Sequence, residues 1–292
     1  MMTPVEYFAP KSIEEAISLL SQYGKKAKVV SGGTDFLMQL KHGAAVPECL
    51  ISLGGIHELD FIKYDEMCGL RVGALTTIVN VANSSWIRRK FSILAQAAGM
   101  LGTPAVRNQA TIGGNLCNAA PSADTAPALL VLGATVKIAG VEGERVLPIE
   151  DFFTGPGLTI LGDGHILTEI QIPNLQPHSR GGYLKQTRRQ GSDLAVVGVA
   201  ALVVMEGEIL KDVRIALGAV APTPIRAKKA EGMLRGKKLD AKLVEETGQA
   251  ASYESIPVDD LRGSADYRRR LVAVLTKRAL SHAVQQVESE VR

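Results

Sequence analysis

The chain has 292 residues, 46% of them hydrophobic and 22% charged, with a net charge of +3. This is apolar chain enough for two domains; the mixed charges exclude the basic stripe of a nucleic-acid binder, and no apolar run reaches the roughly 20 residues of a membrane span. Cys49, Cys68 and Cys117 are widely spaced and form no C-x-x-C pair, which leaves too few ligands for an iron–sulfur cluster on this chain. Met1 to Pro10 has no basic stretch followed by an apolar one, so a cytoplasmic protein is expected.

Ser12 and Glu15 form a capping box, and Ile13, Ala16, Ile17 and Leu20 share one face of a helix that Gly24 ends. Lys28-Val29-Val30-Ser31 predicts a strand, Gly32-Gly33 a turn, and Phe36, Leu37 and Leu40 a helix, so the first glycine pair joins strand to helix. Strands follow at Leu50 to Leu53 and Leu70 to Ala74, then helices from Thr77 through Ala82 and from Ser92 to Met100. Gly102-Thr103-Pro104 ends the latter, and the chain arrives at a second glycine pair, Gly113-Gly114.

Ser122 is read as the cap of an apolar helix through Ala128, Leu129, Leu130 and Leu132, and Thr135 to Ala139 as a strand. Asp163-Gly164 reads as a hairpin turn between Leu158-Thr159-Ile160-Leu161 and Ile166 to Ile172. The Pro-rich break from Pro173 to Pro177 divides a domain over 1–176, with subdomains of about 1–55 and 56–176, from one over 177–292. In the second, strands at Tyr183 to Thr187, Leu194 to Val204 and Val213 to Val220 precede helices around Ala227 to Leu234, Ala241 to Ala251 and Ala265 to Val287, an α+β pattern.

Ser31-Gly32-Gly33-Thr34-Asp35 and Thr111-Ile112-Gly113-Gly114-Asn115 are the segments most able to carry chemistry. Glycine lets backbone N–H groups approach an anion without a Cβ in the way; each pair taken alone reads first as a plain tight turn. Thr34 and Thr111 add hydroxyl donors and Asn115 an amide. Neither segment matches the G-x-G-x-x-G dinucleotide fingerprint, and no Walker loop is present. His42, His57, His165, His178 and His282 share no metal-ligand spacing.

Val29-Val30-Ser31-Gly32-Gly33-Thr34-Asp35-Phe36-Leu37 and Arg107-Asn108-Gln109-Ala110-Thr111-Ile112-Gly113-Gly114-Asn115-Leu116, followed by Pro121-Ser122-Ala123-Asp124, resemble the FAD-binding subunits of the xanthine dehydrogenase and carbon monoxide dehydrogenase family. The resemblance runs almost end to end, through Leu184-Lys185-Gln186-Thr187-Arg188-Arg189 and Asp266-Tyr267-Arg268. It implies an α+β protein: an FAD-binding domain of the vanillyl-alcohol-oxidase type, built of two α/β subdomains, and a small C-terminal α+β domain with a three-stranded sheet and helices. Val29, Val30, Ser31, Gly32, Gly33, Thr34 and Asp35 would then wrap one side of the FAD diphosphate and Thr111, Gly114 and Asn115 the other. Asp124 would accept from a cofactor hydroxyl, Leu101 and Gly102 would lie beside the flavin, Leu167 would make an apolar contact, and Lys185 would be a nearby cation.

The resemblance assigns this chain no catalytic residue and no metal ligand. It implies an electron-transfer subunit of a molybdenum hydroxylase. A large partner subunit would hold the molybdopterin cofactor and oxidise the substrate, and a small one would hold two [2Fe-2S] clusters. FAD on this chain would pass electrons to NAD, oxygen or a quinone-type acceptor, within a dimer of heterotrimers. The lack of an extra cysteine-rich insertion argues against the hydroxybenzoyl-CoA reductase branch.

Two other readings stand beside it. One is a self-sufficient FAD-dependent oxidoreductase on the same scaffold. The other makes the last helix, with Arg268, Arg269, Arg270, Lys277 and Arg278, an interaction arm, where alternating glutamates also fit a solvated face. Single residues have plain alternatives too: Asp124 as a helix-start acid, Lys185 and Arg188 as exposed strand cations, and Cys117 as a small buried hydrophobe.

Overall fold

The structure, a computed structural model, describes residues 5–189 and 191–291; residues 1–4 of the Met1 to Pro10 stretch read above lie outside the described residues, as do Gln190 and Arg292. The chain begins with β1 (Glu6–Phe8), α1 (Ile13–Tyr23), β2 (Ala27–Val30), α2 (Phe36–Lys41) and β3 (Cys49–Ser52). The strands pair in parallel in the order β1-β3-β2, and parallel neighbours need crossovers, which the helices supply. Ser12 caps α1 by accepting from the Glu15 N–H at 3.2 Å, but the Glu15 carboxylate takes the Lys11 N–H at 2.7 Å, not that of Ser12. Ala16, Leu20, Cys49 and Ile51 close a small core.

Next come β4 (Ile62–Asp65), β5 (Gly69–Gly73), α3 (Ile78–Asn83), α4 (Ser85–Lys90), α5 (Ser92–Met100), α6 (Pro104–Gln109), α7 (Ile112–Asn118) and α8 (Thr125–Val131). They are followed by β6 (Thr135–Gly140), β7 (Gly143–Pro148), β8 (Phe153–Gly155), β9 (Leu158–Thr159) and β10 (Ile166–Ile172). A five-stranded antiparallel sheet runs β4-β5-β10-β6-β7. The hairpin expected at Asp163-Gly164 does not form, because β9 pairs with β8. β10 is buried at the centre, with β5 and β6 on its two edges, which leaves no edge for β9.

Arg71 on β5 grips Glu169 on β10 with two 2.5 Å hydrogen bonds, and the Gln171 amide donates to the same carboxylate at 2.9 Å. Burial alone would raise the Glu169 carboxyl, but Arg71 and Gln171 hold it below the usual carboxylate range. A depressed folded value means stability that is present above the unfolded value and lost as pH falls through the folded one. Glu169→Gln is therefore expected to flatten the acid side of the stability profile below about pH 4.5. Its cost at neutral pH is about 1 kcal/mol, since half-exposed Arg71 keeps the pair partly screened. Urea unfolding as a function of pH checks this, and identical acid slopes in the two proteins would reject it.

The remainder comprises β11 (Ser179–Gln186), β12 (Val197–Glu206), β13 (Ile209–Gly218), β14 (Ile225–Arg226), α9 (Lys228–Leu234), α10 (Ala241–Glu254) and α11 (Ala265–Val291). The expected sheet of three long strands is present, and the two-residue β14 adds a fourth at its edge. β12 is apolar on both faces, and the two-residue side-chain period divides it between cores. Val199, Ala201 and Val203 pack with Leu275, Leu280 and Val284 of α11. Ala200 and Leu202 belong instead to the large core under the preceding five-stranded sheet. The apolar face of α11 is core, and of the basic residues read as an interaction arm Arg268 is taken out of it: it is buried, donating to the Ala219 carbonyl at 3.0 Å and pairing with Asp260. Arg269, Arg270 and Arg278 are exposed.

Candidate functional site

A cavity of about 890 Å³ opens between the first parallel sheet, α7 and the start of β10, within the roughly 300–1,000 Å³ typical of cofactor clefts. Val29, Val30, Ser31, Gly32, Gly33, Thr34, Asp35, Leu101, Gly102, Thr111, Gly114, Asn115, Asp124 and Leu167 all line it. Lys185 does not. It lines an adjoining cavity of about 550 Å³ and touches Asp124 from that side.

The first glycine segment leaves β2 and enters α2, as its pattern predicts. Gly33 has φ +68°, a left-handed conformation glycine adopts at little cost. The Leu37 N–H returns to the Gly33 carbonyl at 2.9 Å, whereas the amides of Gly32, Gly33, Thr34 and Asp35 donate to no acceptor among the described residues. Gly32 is needed for a different reason: a Cβ there would stand 2.0 Å from the Gln109 carbonyl oxygen.

The second segment follows helix α6 and opens helix α7, so unlike the first it does not leave a strand. Its amides are already used: Ile112 N–H donates to the Thr76 carbonyl, Gly113 N–H to Ala74, Gly114 N–H to the Thr111 hydroxyl and Asn115 N–H to the Thr111 carbonyl. Its glycines serve close packing. A Cβ on Gly113 would be 2.6 Å from Ala74, and one on Gly114 2.7 Å from the Ser31 hydroxyl.

The two segments meet where Ser31 Oγ lies 3.0 Å from Thr111 Oγ1. Since Thr111 Oγ1 already accepts from Gly114, the pair has one hydroxyl proton to share and one to offer the cavity. Asn115 Oδ1 accepts from Thr125 at 2.6 Å, which leaves its amide hydrogens as donors. Four uncommitted amides, a hydroxyl pair and a side-chain amide therefore converge on one cavity, a donor set that fits an oxygen-rich anion such as a diphosphate.

α8 starts at Thr125, later than a Ser122 cap would place it, and Asp124 occupies the cap position without bonding a helix amide. Its Oδ1 accepts from the Tyr183 hydroxyl at 2.7 Å and its Oδ2 from Lys185 Nζ at 2.8 Å. The Lys185 and Asp124 side chains are only 5% and 6% exposed, so Lys185 is not an exposed strand cation; Arg188 is exposed and donates to the Leu261 carbonyl. The two-residue period of β11 puts Tyr183 and Lys185 on one face, and Lys185 also reaches the Met100 carbonyl at 3.1 Å. Burial raises the Asp124 carboxyl above its ordinary value, and the opposing Lys185 and Tyr183 do not fully cancel it. Burial, Asp124's charge and their hydrogen bond push the Tyr183 phenol far up. Burial also pushes the Cys117 thiol up to about 12, so this cavity-lining sulfur is a neutral, unreactive thiol.

Two further stretches of lining went unread in the sequence, Gly157 to Thr159 with Leu161 to Ile166, and the Arg189, Ser192, Asp193 and Leu194 segment after β11. The former is marked only by its Asp-Gly turn, the latter by nothing local. Among the described residues no group of three or more His, Cys, Asp or Glu could hold a metal ion, and no helix is long and apolar enough to cross a membrane.

Residues 3–175 match the profile of the FAD binding domain in molybdopterin dehydrogenase, and residues 182–283 that of the CO dehydrogenase flavoprotein C-terminal domain. The carbon monoxide dehydrogenase medium chain of Hydrogenophaga pseudoflava is 34% identical over 278 residues, covering 95% of this chain and 96% of that one. The xanthine dehydrogenase FAD-binding subunit of Escherichia coli O157:H7 is 33% identical over 280 residues, with 95% of each chain covered. A solved carbon monoxide dehydrogenase from Hydrogenophaga pseudoflava superposes with a TM-score of 0.94 at 34% identity, over 98% of this chain and 99% of that one.

Proposed function

The chain belongs to the xanthine dehydrogenase and carbon monoxide dehydrogenase family of molybdenum hydroxylases, as an FAD-binding medium subunit, and from this we propose that its 890 Å³ cavity holds one FAD with the diphosphate between the two glycine segments. The observation that carries the placement is the convergence of the uncommitted Gly32 to Asp35 amides with the Ser31–Thr111 hydroxyl pair. Val29 and Val30 form the wall leading into that clasp, and Asn115 donates from the opposite side. Leu101, Gly102 and Leu167 provide an apolar bed for the ring system. Asp124 already accepts two hydrogen bonds, but a carboxylate offers about four lone-pair sites, and those remaining accept a cofactor hydroxyl.

Bound FAD supplies the one chemistry the side chains cannot, taking electrons singly and releasing them in pairs. The protein binds it, orients it and screens it from water. A small partner subunit with [2Fe-2S] clusters and a large one with the molybdopterin cofactor would supply its electrons, and NAD, oxygen or a quinone-type acceptor would take them. The assembly is a cytoplasmic dimer of heterotrimers, in which this chain contributes an FAD domain over 1–176 and a C-terminal domain over 177–292.

Purification from the native host tests this. The expected result is one FAD per chain, with a large and a small partner carrying molybdenum and iron in fixed ratio. If the isolated chain with FAD oxidised an organic substrate unaided, the self-sufficient flavoenzyme reading would replace it.

A further inference from the structure

Asp124 lines the large cavity, Lys185 lines the small one, and Gly102, Thr103, Ser192 and Asp193 line both. The buried Asp124–Lys185 pair is thus part of the partition between two cavities. Behind it, lining neither, stands Tyr183, only 2% exposed. Three contacts fix that ring in place. Its backbone N–H donates to Gln96 Oε1 at 3.0 Å, its ring belongs to the large core, and its hydroxyl donates to Asp124 at 2.7 Å. Room for the hydroxyl is made on the neighbouring strand, where Gly198 pairs with Lys185 and a Cβ would stand 2.5 Å from the Tyr183 oxygen. A phenylalanine would fill the core equally well, so the hydroxyl has Asp124 as its one purpose.

We propose that Tyr183 is a positioning residue, whose hydroxyl holds the Asp124 carboxylate against Lys185 and so fixes the charge that the partition presents to a cofactor in the large cavity. Two hydrogen bonds, from groups two residues apart on a rigid strand, leave the carboxylate a single orientation. Without the phenol, Asp124 keeps Lys185 as its one protein side-chain donor and loses a donor that favours its ionised form. Burial already works against ionisation there, so the variant takes up a proton at a pH where the native protein does not. The partition then changes from neutral to a net positive charge. Other charged or titratable groups bounding the large cavity are Lys28, Asp35, Asp163, His165, Arg189 and Asp193, and Arg107 and Asp193 bound the small one; Arg107 is occupied with the Leu101 and Gly102 carbonyls.

The inference about flavin rests on the proposed FAD site, and the test separates the two. FAD titration of the wild-type chain comes first: no binding removes the site proposal and leaves Tyr183 to be judged on the unliganded protein. With FAD bound, redox titration of Tyr183→Phe across pH is expected to raise the ratio of reduced to oxidised flavin at a fixed potential at least tenfold on the acid side, about 30 mV for two electrons. The curves should converge as pH rises and Asp124 ionises again. Superimposable wild-type and variant profiles would overturn the proposal.

In the unliganded chain, a double-mutant cycle of Tyr183→Phe with Lys185→Met is read as unfolding equilibrium constants. Both residues act on one carboxylate, so the combined change should differ at least tenfold from the product of the single changes; multiplicative effects would overturn the proposal. Gly198→Ala, which displaces the hydroxyl while keeping the tyrosine, serves if Tyr183→Phe does not fold, and the same redox and cycle criteria apply to it.

Discussion

Gly32→Ala is expected to abolish measurable FAD binding and to cost about 3 kcal/mol of stability, far more than the same change at Gly33. At position 32 the new Cβ meets backbone, 2.0 Å from the Gln109 carbonyl oxygen and 2.7 Å from its carbon. Neither can rotate away, so the first glycine segment must retreat from α6 and α7. That retreat breaks the 3.0 Å Ser31–Thr111 contact and spreads the donors that converge on the diphosphate. Overpacking of this kind usually costs about 1–3 kcal/mol, occasionally more. At Gly33 the nearest atom to a new Cβ is Leu37 Cδ1 at 3.4 Å, a flexible neighbour, and the penalty is the left-handed backbone, about 1–2 kcal/mol. Urea unfolding and FAD fluorescence titration of the two variants measure the contrast. Equal effects at 32 and 33 would mean that turn conformation, and not the meeting of two backbones, is what the glycine pair provides.

Lys185→Met should be the most destabilising charge deletion in the molecule, at about 3–5 kcal/mol, because it strands a buried carboxylate. The loss has a characteristic pH dependence. Asp124 is already raised by burial, and removal of Lys185 raises it further; a raised carboxyl favours the fold below its unfolded value and loses that contribution as pH rises through the folded one. The variant is therefore weakest at alkaline pH, the reverse of the Glu169 pattern. Adding Asp124→Asn removes the stranded charge, and much of the loss should return. A deficit under about 1 kcal/mol at pH 8, typical of a solvated pair, would show that water reaches the partition.

How much of this was legible beforehand follows the reach of the interactions. The first glycine segment could be read because its determinants are local: a β-branched run, two glycines, then apolar residues at helical spacing. The second could not, since Ile112-Gly113-Gly114-Asn115 is poor helix sequence and becomes helix through a Thr111 cap and through contacts with Ala74 and Ser31, distant in the chain. Asp163-Gly164 is a genuine turn, yet its hairpin reading failed because the burial of β10 between β5 and β6 is a property of the whole sheet. Lys185 is read from the resemblance as a cation near the cofactor, with an exposed strand cation as the plain alternative; its partner Asp124, 61 residues earlier, is brought to it only by the fold. The cofactor class came from motif resemblance and was visible early; the charge arrangement around it needed coordinates.

The two-sided strand β12 has a consequence for how the chain holds together. Its Ala200 and Leu202 are planted in the core built by the preceding segment. Around it Ala219 N–H donates to the Pro121 carbonyl at 2.7 Å, Arg214 to the Val131 carbonyl at 3.3 Å, and Arg226 to Glu150 at 3.1 Å. The peptide link between Pro173 and Pro177 is then not what keeps the two portions joined. A chain nicked there by a protease, or produced as two separate pieces, should remain one particle, with the same strand serving as both wall and rivet.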